Sequence, residues 1–269
     1  MIVIHNFPME RQNYIRPTPN SYADCQTRED NTLDRRIWIS EWSMIAWNTL
    51  IGHDLVHKQS MQHGFLTTHI CPFVGMEAQI NHGGMLEVPL HTEASYLPLG
   101  SALDGLTLLA LHNSATPTTF VLLDEYCIAL HSELAERFHW LSKPWFCFYL
   151  VDPHGCEQHH FSAPIMECQP DGSIARWRIQ TNLRKIRPAP HLREIHQRQV
   201  QQLIDQCTEI IHRFKIELCL KYGDLVCFDN RLGVAHGRGH FHPIDRSDCQ
   251  PKRYLLRQQS RYNPSILTS

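Results

Sequence analysis

With 269 residues, 42% hydrophobic content and a formal net charge of −2, the chain is long enough for one domain with a sizeable core and shows no electrostatic footprint for nucleic acid. No apolar run approaches the ~18 residues of a membrane span, and the opening MIVIHNFPMERQ lacks the layout of a secretion signal. The 10 cysteines are scattered without a CxxC pair, which fits reduced thiols of a cytoplasmic protein rather than zinc knuckles or a disulfide frame.

Residues 1–32 are polar, rich in Pro and Asn, and read as an arm or a lid. Residues 35–55 have helical spacing, with Ile37, Trp38, Ile45 and Leu50 as core candidates. Strand-like stretches run from 65 to 123, and helical spacing returns over 124–141 through Leu130, Leu134, Phe138 and Leu141. Residues 144–151 read as a strand whose aromatic side chains fit a core better than a cofactor box, and Asp171-Gly172 marks a hairpin. The spacing predicts a helix over 191–213, with Leu192, Ile195, Val200, Leu203, Ile204 and Ile211 inward. Tyr222-Gly223-Asp224 separates two short apolar runs, 216–220 and 225–228, which read as paired strands. Asp229-Asn230 then turns the chain before Val234-Ala235-His236.

Chemistry enters at two distant segments. His91 and Glu93 are two apart, so on a strand both point to one face and can grip one metal ion. The chain has a second His-x-Glu triplet, His131-Ser132-Glu133, but it lies in helical spacing, where residues two apart are rotated by roughly 200° and cannot chelate. His236 would add a third ligand, and two His with one carboxylate and open positions form the facial triad of non-haem Fe(II) oxygenases. A zinc hydrolase could use the same ligand set with a bound water. Beyond His236, Arg253 and Arg257 are four apart and share one side of an extended strand. Facing inward, they are costly unless they meet anions, and an arginine fork suits a carboxylate; on a solvated edge strand they would be surface groups. His159-His160 and His240/His242 have no partner at ligand spacing and read as surface histidines.

Together these segments resemble the Fe(II)/2-oxoglutarate-dependent oxygenases of the taurine dioxygenase superfamily, within it the clavaminate synthase-like group. The matching pieces are Leu86-Glu87-Val88-Pro89-Leu90-His91-Thr92-Glu93, the strand Leu106–Leu111, Gly223-Asp224-Leu225, Asp229-Asn230 and His236-Gly237-Arg238, over roughly 50–260. The spelling His-Gly-Arg is also similar to the γ-butyrobetaine hydroxylase branch.

The resemblance implies a single oxygenase domain over 1–269, mainly β with α, with a double-stranded β-helix (jelly roll) core and flanking helices. It implies His91, Glu93 and His236 as Fe(II) ligands, with 2-oxoglutarate as cosubstrate and O₂ as oxidant. Arg253 matches the arginine that holds the far carboxylate of 2-oxoglutarate. Thr119 matches the threonine that assists it, with Thr118 as the fallback if the register slips. Arg257 matches the arginine for a substrate carboxylate, and Gln62 falls near a polar residue that touches the substrate amine. The implied reaction is hydroxylation of an unactivated C–H of a small carboxylate, a free amino acid or a derivative. A non-catalytic jelly-roll binding protein is the rival reading. Two departures stand out: a longer loop between His236 and Arg253, and a basic lid over 176–190 (Arg184-Lys185-Ile186-Arg187), which disfavours a basic substrate.

Overall fold

The computed structural model describes residues 1–10, 39–56, 66–113, 116–151, 157–239, 253–263 and 265. Strands β1 to β6 span Ile2–Ile4, His53–Leu55, Thr67–Ile70, Val88–His91, Gly105–Asn113 and Thr118–Leu122. Strands β7 to β11 span Phe146–Val151, Glu157–Ala163, Met166–Cys168, Ile174–Trp177 and Ile186–Pro188. Strands β12 to β15 are Ile216–Leu218, Leu225–Asp229, Val234–Arg238 and Arg253–Tyr262. The helices are α1 (Ile39–Leu50), α2 (Leu123–Leu134) and α3 (Glu194–His212).

The core is a jelly roll. A six-stranded sheet runs β1-β13-β5-β15-β2, with β3 also on β15, and faces a four-stranded sheet ordered β12-β6-β14-β4. Alternate residues of both sheets meet between them: Leu106, Leu108, Ala110, Val226, Phe228 and Leu255 from one, Phe120 and Val234 from the other. Phe120 and Phe228 meet edge to face with centroids 5.6 Å apart. The outer face of the four-stranded sheet packs against α2, α3 and the β7/β8/β11 sheet, where Leu130, Phe146, Phe148, Val200, Leu203 and Ile211 are buried.

Several expectations change in the fold. The helix expected over 35–55 is described over Ile39–Leu50; it ends before Gly52, whose φ of 75° is left-handed, and 53–55 join the large sheet. Its buried positions are Ser40, Met44 and Asn48, whereas Leu50 is 74% exposed and Ile45 only half-buried. Ile37 and Trp38 lie outside the described residues. The cause is a polar seam. Asn48 donates to Gln258 Oε1 (3.0 Å) and accepts from Thr107 (3.1 Å), and Gln258 donates to Thr67 (3.0 Å). A helix docked through a satisfied polar network does not follow apolar spacing.

In α3, Val200, Leu203, Ile204 and Ile211 are buried as expected, but Ile195 is 65% exposed because it sits in the first turn, beyond the packed stripe. The runs 216–220 and 225–228 do not pair with each other. Ile216–Leu218 joins β6 and Leu225–Asp229 joins β5, so the turn at Gly223 (φ 79°) carries the chain from one sheet to the other. Within the stretch expected as an arm or lid, Ile2–Ile4 instead forms an edge strand on β13, and residues 11–38 lie outside the described residues.

Phe120→Ala should therefore destabilise the protein by about 3–5 kcal/mol, because it empties a fully buried site between the sheets. Ile195→Ser should stay within about 0.5 kcal/mol. Urea unfolding of both variants measures the contrast.

Candidate metal centre and its anion cradle

The pairing of β4 with β14 sets His91 directly opposite His236, with ring centroids 4.5 Å apart. Gly237, the next residue, lies where the β4 backbone passes close: a Cβ there would sit 2.5 Å from the Val88 carbonyl oxygen. Thr92 points away from the two histidines. Its N–H donates to the Ile179 carbonyl (3.0 Å), and its hydroxyl accepts from the Ile179 N–H (3.1 Å) and donates to the Trp177 carbonyl (3.2 Å). With Thr92 anchored on that side, His91 and Glu93 turn to the other.

One Glu93 oxygen lies 3.8 Å from His91 Nε2 and 3.7 Å from His236 Nε2, and the three potential ligand atoms all fall within 4.8 Å of one another. His91 Nδ1 donates to the Pro89 carbonyl (2.9 Å), which orients the ring so that Nε2 faces Glu93. The set fits a divalent metal: two imidazole nitrogens and a carboxylate converge on one point from a rigid strand pair.

Asn230, fully buried, fixes the carboxylate's backbone. Its Oδ1 accepts from the Glu93 N–H (2.7 Å), while its amide donates to the carbonyls of Glu93 (3.2 Å) and Leu103 (2.9 Å). The loop after Glu93 turns through Ala94 (φ 56°) and is clamped by Arg176, whose guanidinium donates to the carbonyls of Ala94 (2.8 Å) and Leu97 (2.9 Å).

Electrostatics separate the charged from the neutral groups. Burial alone would raise the Glu93 carboxyl, but Arg257 and the two histidines outweigh it and hold the group well below the ordinary carboxylate range. Burial, then His91, pushes His236 down to about 3, so its imidazole is neutral and its Nε2 lone pair is free for a metal.

Arg257 Nη1 lies 2.5 Å from Glu93 Oε1, while its buried Nε has no hydrogen-bond partner. Arg253 is 3% exposed and donates through Nη2 to Thr118 Oγ1 (3.0 Å). Among the described residues no carboxylate pairs with it; burial, then the nearby Arg238, pushes it down to about 9. Arg238 itself donates to the Leu86 carbonyl (2.6 Å). A buried guanidinium group is costly unless it meets an anion, and its fork suits a carboxylate.

The strand's alternation puts the two threonines on opposite faces. Phe120 faces the sheet interior and Val121 the outer layer, so Thr118 shares the inward face with Arg253, and Thr119 lies on the opposite face beneath Gly237. Gln62 lies outside the described residues, as do the side chains of His159 and His160 and all of His240 and His242. The competing triplet is structural. Glu133 pairs with Arg213 at 2.6 Å on the surface, and the His131 ring meets Phe138 at 5.0 Å.

The expected lid over 176–190 is tied on both sides. Thr181 N–H donates to the Leu90 carbonyl (3.0 Å), Gln180 bridges to His91, and Ile186–Pro188 pairs with β7. These contacts hold the segment against β4 and β7. Sequence spacing did not single out His82, which burial, then Arg257, drives down to about 3 and on which Glu93 and Arg238 also act. It is a neutral imidazole on a loop without periodic pattern, its ring 6.3 Å from that of Phe73.

A family model, "Taurine catabolism dioxygenase TauD, TfdA family", matches residues 52–258. Solved structures agree in fold. The iron oxygenase OrfP with Fe, succinate and (3S)-hydroxy-L-Arg superposes with a TM-score of 0.75 at 18% identity, over 97% of this chain and 76% of that one. OrfP with Fe and alpha-ketoglutaric acid gives 0.72 at 20%, over 96% and 73%. Asparagine oxygenase with Fe(II), 3-hydroxyasparagine and succinate gives 0.67 at 18%, over 96% and 73%. A comparison with curated protein sequences finds no match. No helix among the described residues is long and apolar enough to cross a membrane. With the jelly roll, the His-Glu-His cluster and a match over most of its length, the chain belongs to the TauD/TfdA family of dioxygenases.

Proposed function

We propose that this dioxygenase couples 2-oxoglutarate decarboxylation at Fe(II) to hydroxylation of a free amino acid or a close derivative. The observation that carries this reading is the pairing of the His91–Glu93–His236 cluster with a buried arginine, Arg253, that lacks a carboxylate partner among the described residues. The amino-acid hydroxylases OrfP and asparagine oxygenase, which share the fold, support the substrate class.

In this reading His91, Glu93 and His236 hold the iron, which with 2-oxoglutarate and O₂ supplies the oxidising chemistry. Arg253 and the hydroxyl of Thr118 hold the far carboxylate of the ketoacid. Arg257 steadies Glu93 through Nη1 and offers its remaining donors to the substrate's carboxylate. Asn230 keeps Glu93 aimed, and the jelly-roll interior excludes water from the reacting centre. A zinc hydrolase would leave the Arg253–Thr118 cradle without a role. The scattered free cysteines favour a cytoplasmic setting.

Anaerobic metal analysis, with succinate release followed in the presence and absence of free amino acids, tests the reading. Bound iron and amino-acid-stimulated, 2-oxoglutarate-dependent succinate are expected; zinc with no succinate would reject it. His91→Ala, Glu93→Ala and His236→Ala should each abolish coupled turnover, whereas His131→Ala should leave it intact.

Asn230→Ala strands the Glu93 N–H and the Leu103 carbonyl. It should cost about 1–3 kcal/mol of stability and weaken metal affinity roughly 10- to 100-fold, read by urea unfolding and metal titration.

Arg253→Ala should raise the 2-oxoglutarate requirement by about 2–5 kcal/mol, roughly 30- to 4000-fold, since it removes one partner of a buried charge pair. Arg253→Lys should recover only part of this because the fork is lost. Thr118→Val should cost on the order of 1 kcal/mol, and Thr119→Val should change the cosubstrate KM less than Thr118→Val does.

A further inference from the structure

Strand β15 carries an inward row that runs on past its two arginines. Gln258 faces outward, since its amide bonds Asn48 of α1 (3.0 Å) and Thr67 (3.0 Å). Its neighbours Arg257 and Gln259 therefore turn to the interior between the sheets. The register agrees: Leu108 and Leu106, which pair with Arg257 and Gln259 from β5, both belong to the inter-sheet core, and Arg257 reaches Glu93. Strand β3 extends this surface from the other side. Thr67 bonds Gln258 outside and Ile70 packs inside, so Thr68 faces inward, directly opposite Arg257. Arg257 thus has Thr68 across the ladder, with Cβ atoms about 5 Å apart, and Gln259 one strand-repeat along, roughly 7 Å away.

Gln259 is out of place in an apolar core. It is 6% exposed, and its side-chain Nε2 is buried without a hydrogen-bond partner. Its backbone is fixed on both sides, by the pairing with Leu106 and by the Val56 N–H, which donates to its carbonyl (2.8 Å). Arg257 Nε, on the same face, is likewise buried and unpaired. A buried amide without a partner costs stability that an apolar side chain of similar size would not. Two unpaired donors side by side on a rigid inner face, with a hydroxyl opposite, suit the oxygens of one carboxylate, which accept several hydrogen bonds at once.

We infer that Gln259 and Thr68 complete, with Arg257, the site for the substrate's carboxylate. This rests on the proposed amino-acid hydroxylase reading, in which Arg257 takes that carboxylate. Arg257 supplies the charge, while the Gln259 amide and the Thr68 hydroxyl donate to the lone pairs that one guanidinium leaves over. Arg253 and Thr118 lie toward the other end of β15. Substrate affinity therefore depends on residues 68 and 259, and cosubstrate affinity does not.

Calorimetric binding of the proteinogenic L-amino acids to protein loaded with Zn(II) and 2-oxoglutarate tests this, together with urea unfolding of the unliganded variants. For each amino acid that the wild type binds, Gln259→Met and Thr68→Val should each weaken binding about tenfold, the worth of one hydrogen bond to a charged group. Thr68→Ser keeps the hydroxyl and should stay within about threefold of wild type. Gln259→Glu should weaken binding more than Gln259→Met, because it sets a second carboxylate against the first. Affinity for 2-oxoglutarate should stay within about twofold throughout, and the Gln259→Met unfolding midpoint should equal or exceed that of wild type, since an unpaired donor is removed. Unchanged amino-acid affinity in Gln259→Met or Thr68→Val overturns the inference and leaves the hydroxylase reading standing. So does an equal fall in 2-oxoglutarate affinity, or a lower midpoint in Gln259→Met, which would mean that the protein itself satisfies the amide. Tighter binding in Gln259→Glu would place the substrate's ammonium there and also overturn it. If no amino acid binds the wild type, the reading and the inference fail together.

Discussion

The antiparallel pairing of β4 with β14 is the constraint on which the site depends. It joins a segment near residue 90 to one near residue 236 and sets His91 opposite His236 at the edge of the four-stranded sheet. A slip of one residue would turn every side chain of β4 to the other face and carry His91 away from the metal. The register is over-determined. β14 is also paired along its length with β6, Gly237 permits the close backbone approach, and Thr92 locks β4 to the 177–181 segment on its free side. Rigid elements therefore fix two ligands, and Asn230 and Arg176 fix the loop that carries the third.

Burial then decides the charges. Taken out of water, His236 loses its proton and can serve as a ligand, while Glu93 stays ionised because Arg257 touches it. Arg253 and Arg238 cannot shed their protons as readily and remain as buried cations. A site built this way holds more positive than negative charge before any ligand arrives, which favours an anion there. The surrounding jelly roll serves this directly: its apolar interior, from Leu255 to Phe120, lies beside the same strands that carry the arginine and threonine donors.

Part of this was legible in the chain alone because it is local. Side chains two or four apart on a strand share a face whatever the strand packs against, so His91 with Glu93 and Arg253 with Arg257 could be read as pairs. The same holds for the apolar stripe Val200, Leu203, Ile204 and Ile211, where the 3.6-residue repeat and the burial agree. The helical spacing around His131 likewise disqualified the rival triplet, which the structure finds on the surface.

What the tertiary structure decided is where local signals were silent or ambiguous. Thr118 and Thr119 are neighbours with one chemistry, and only the register of β6 against β14 tells which of them meets Arg253. The runs beside Gly223 look like a hairpin because a turn lies between them, yet each finds its partner in a different sheet, a choice made by distant strands. Helix α1 docks through Asn48 and Gln258, a polar contact that hydrophobic periodicity cannot register. Periodicity determines faces; which faces meet, and which charges are thereby removed from water, is settled only when the sheets close.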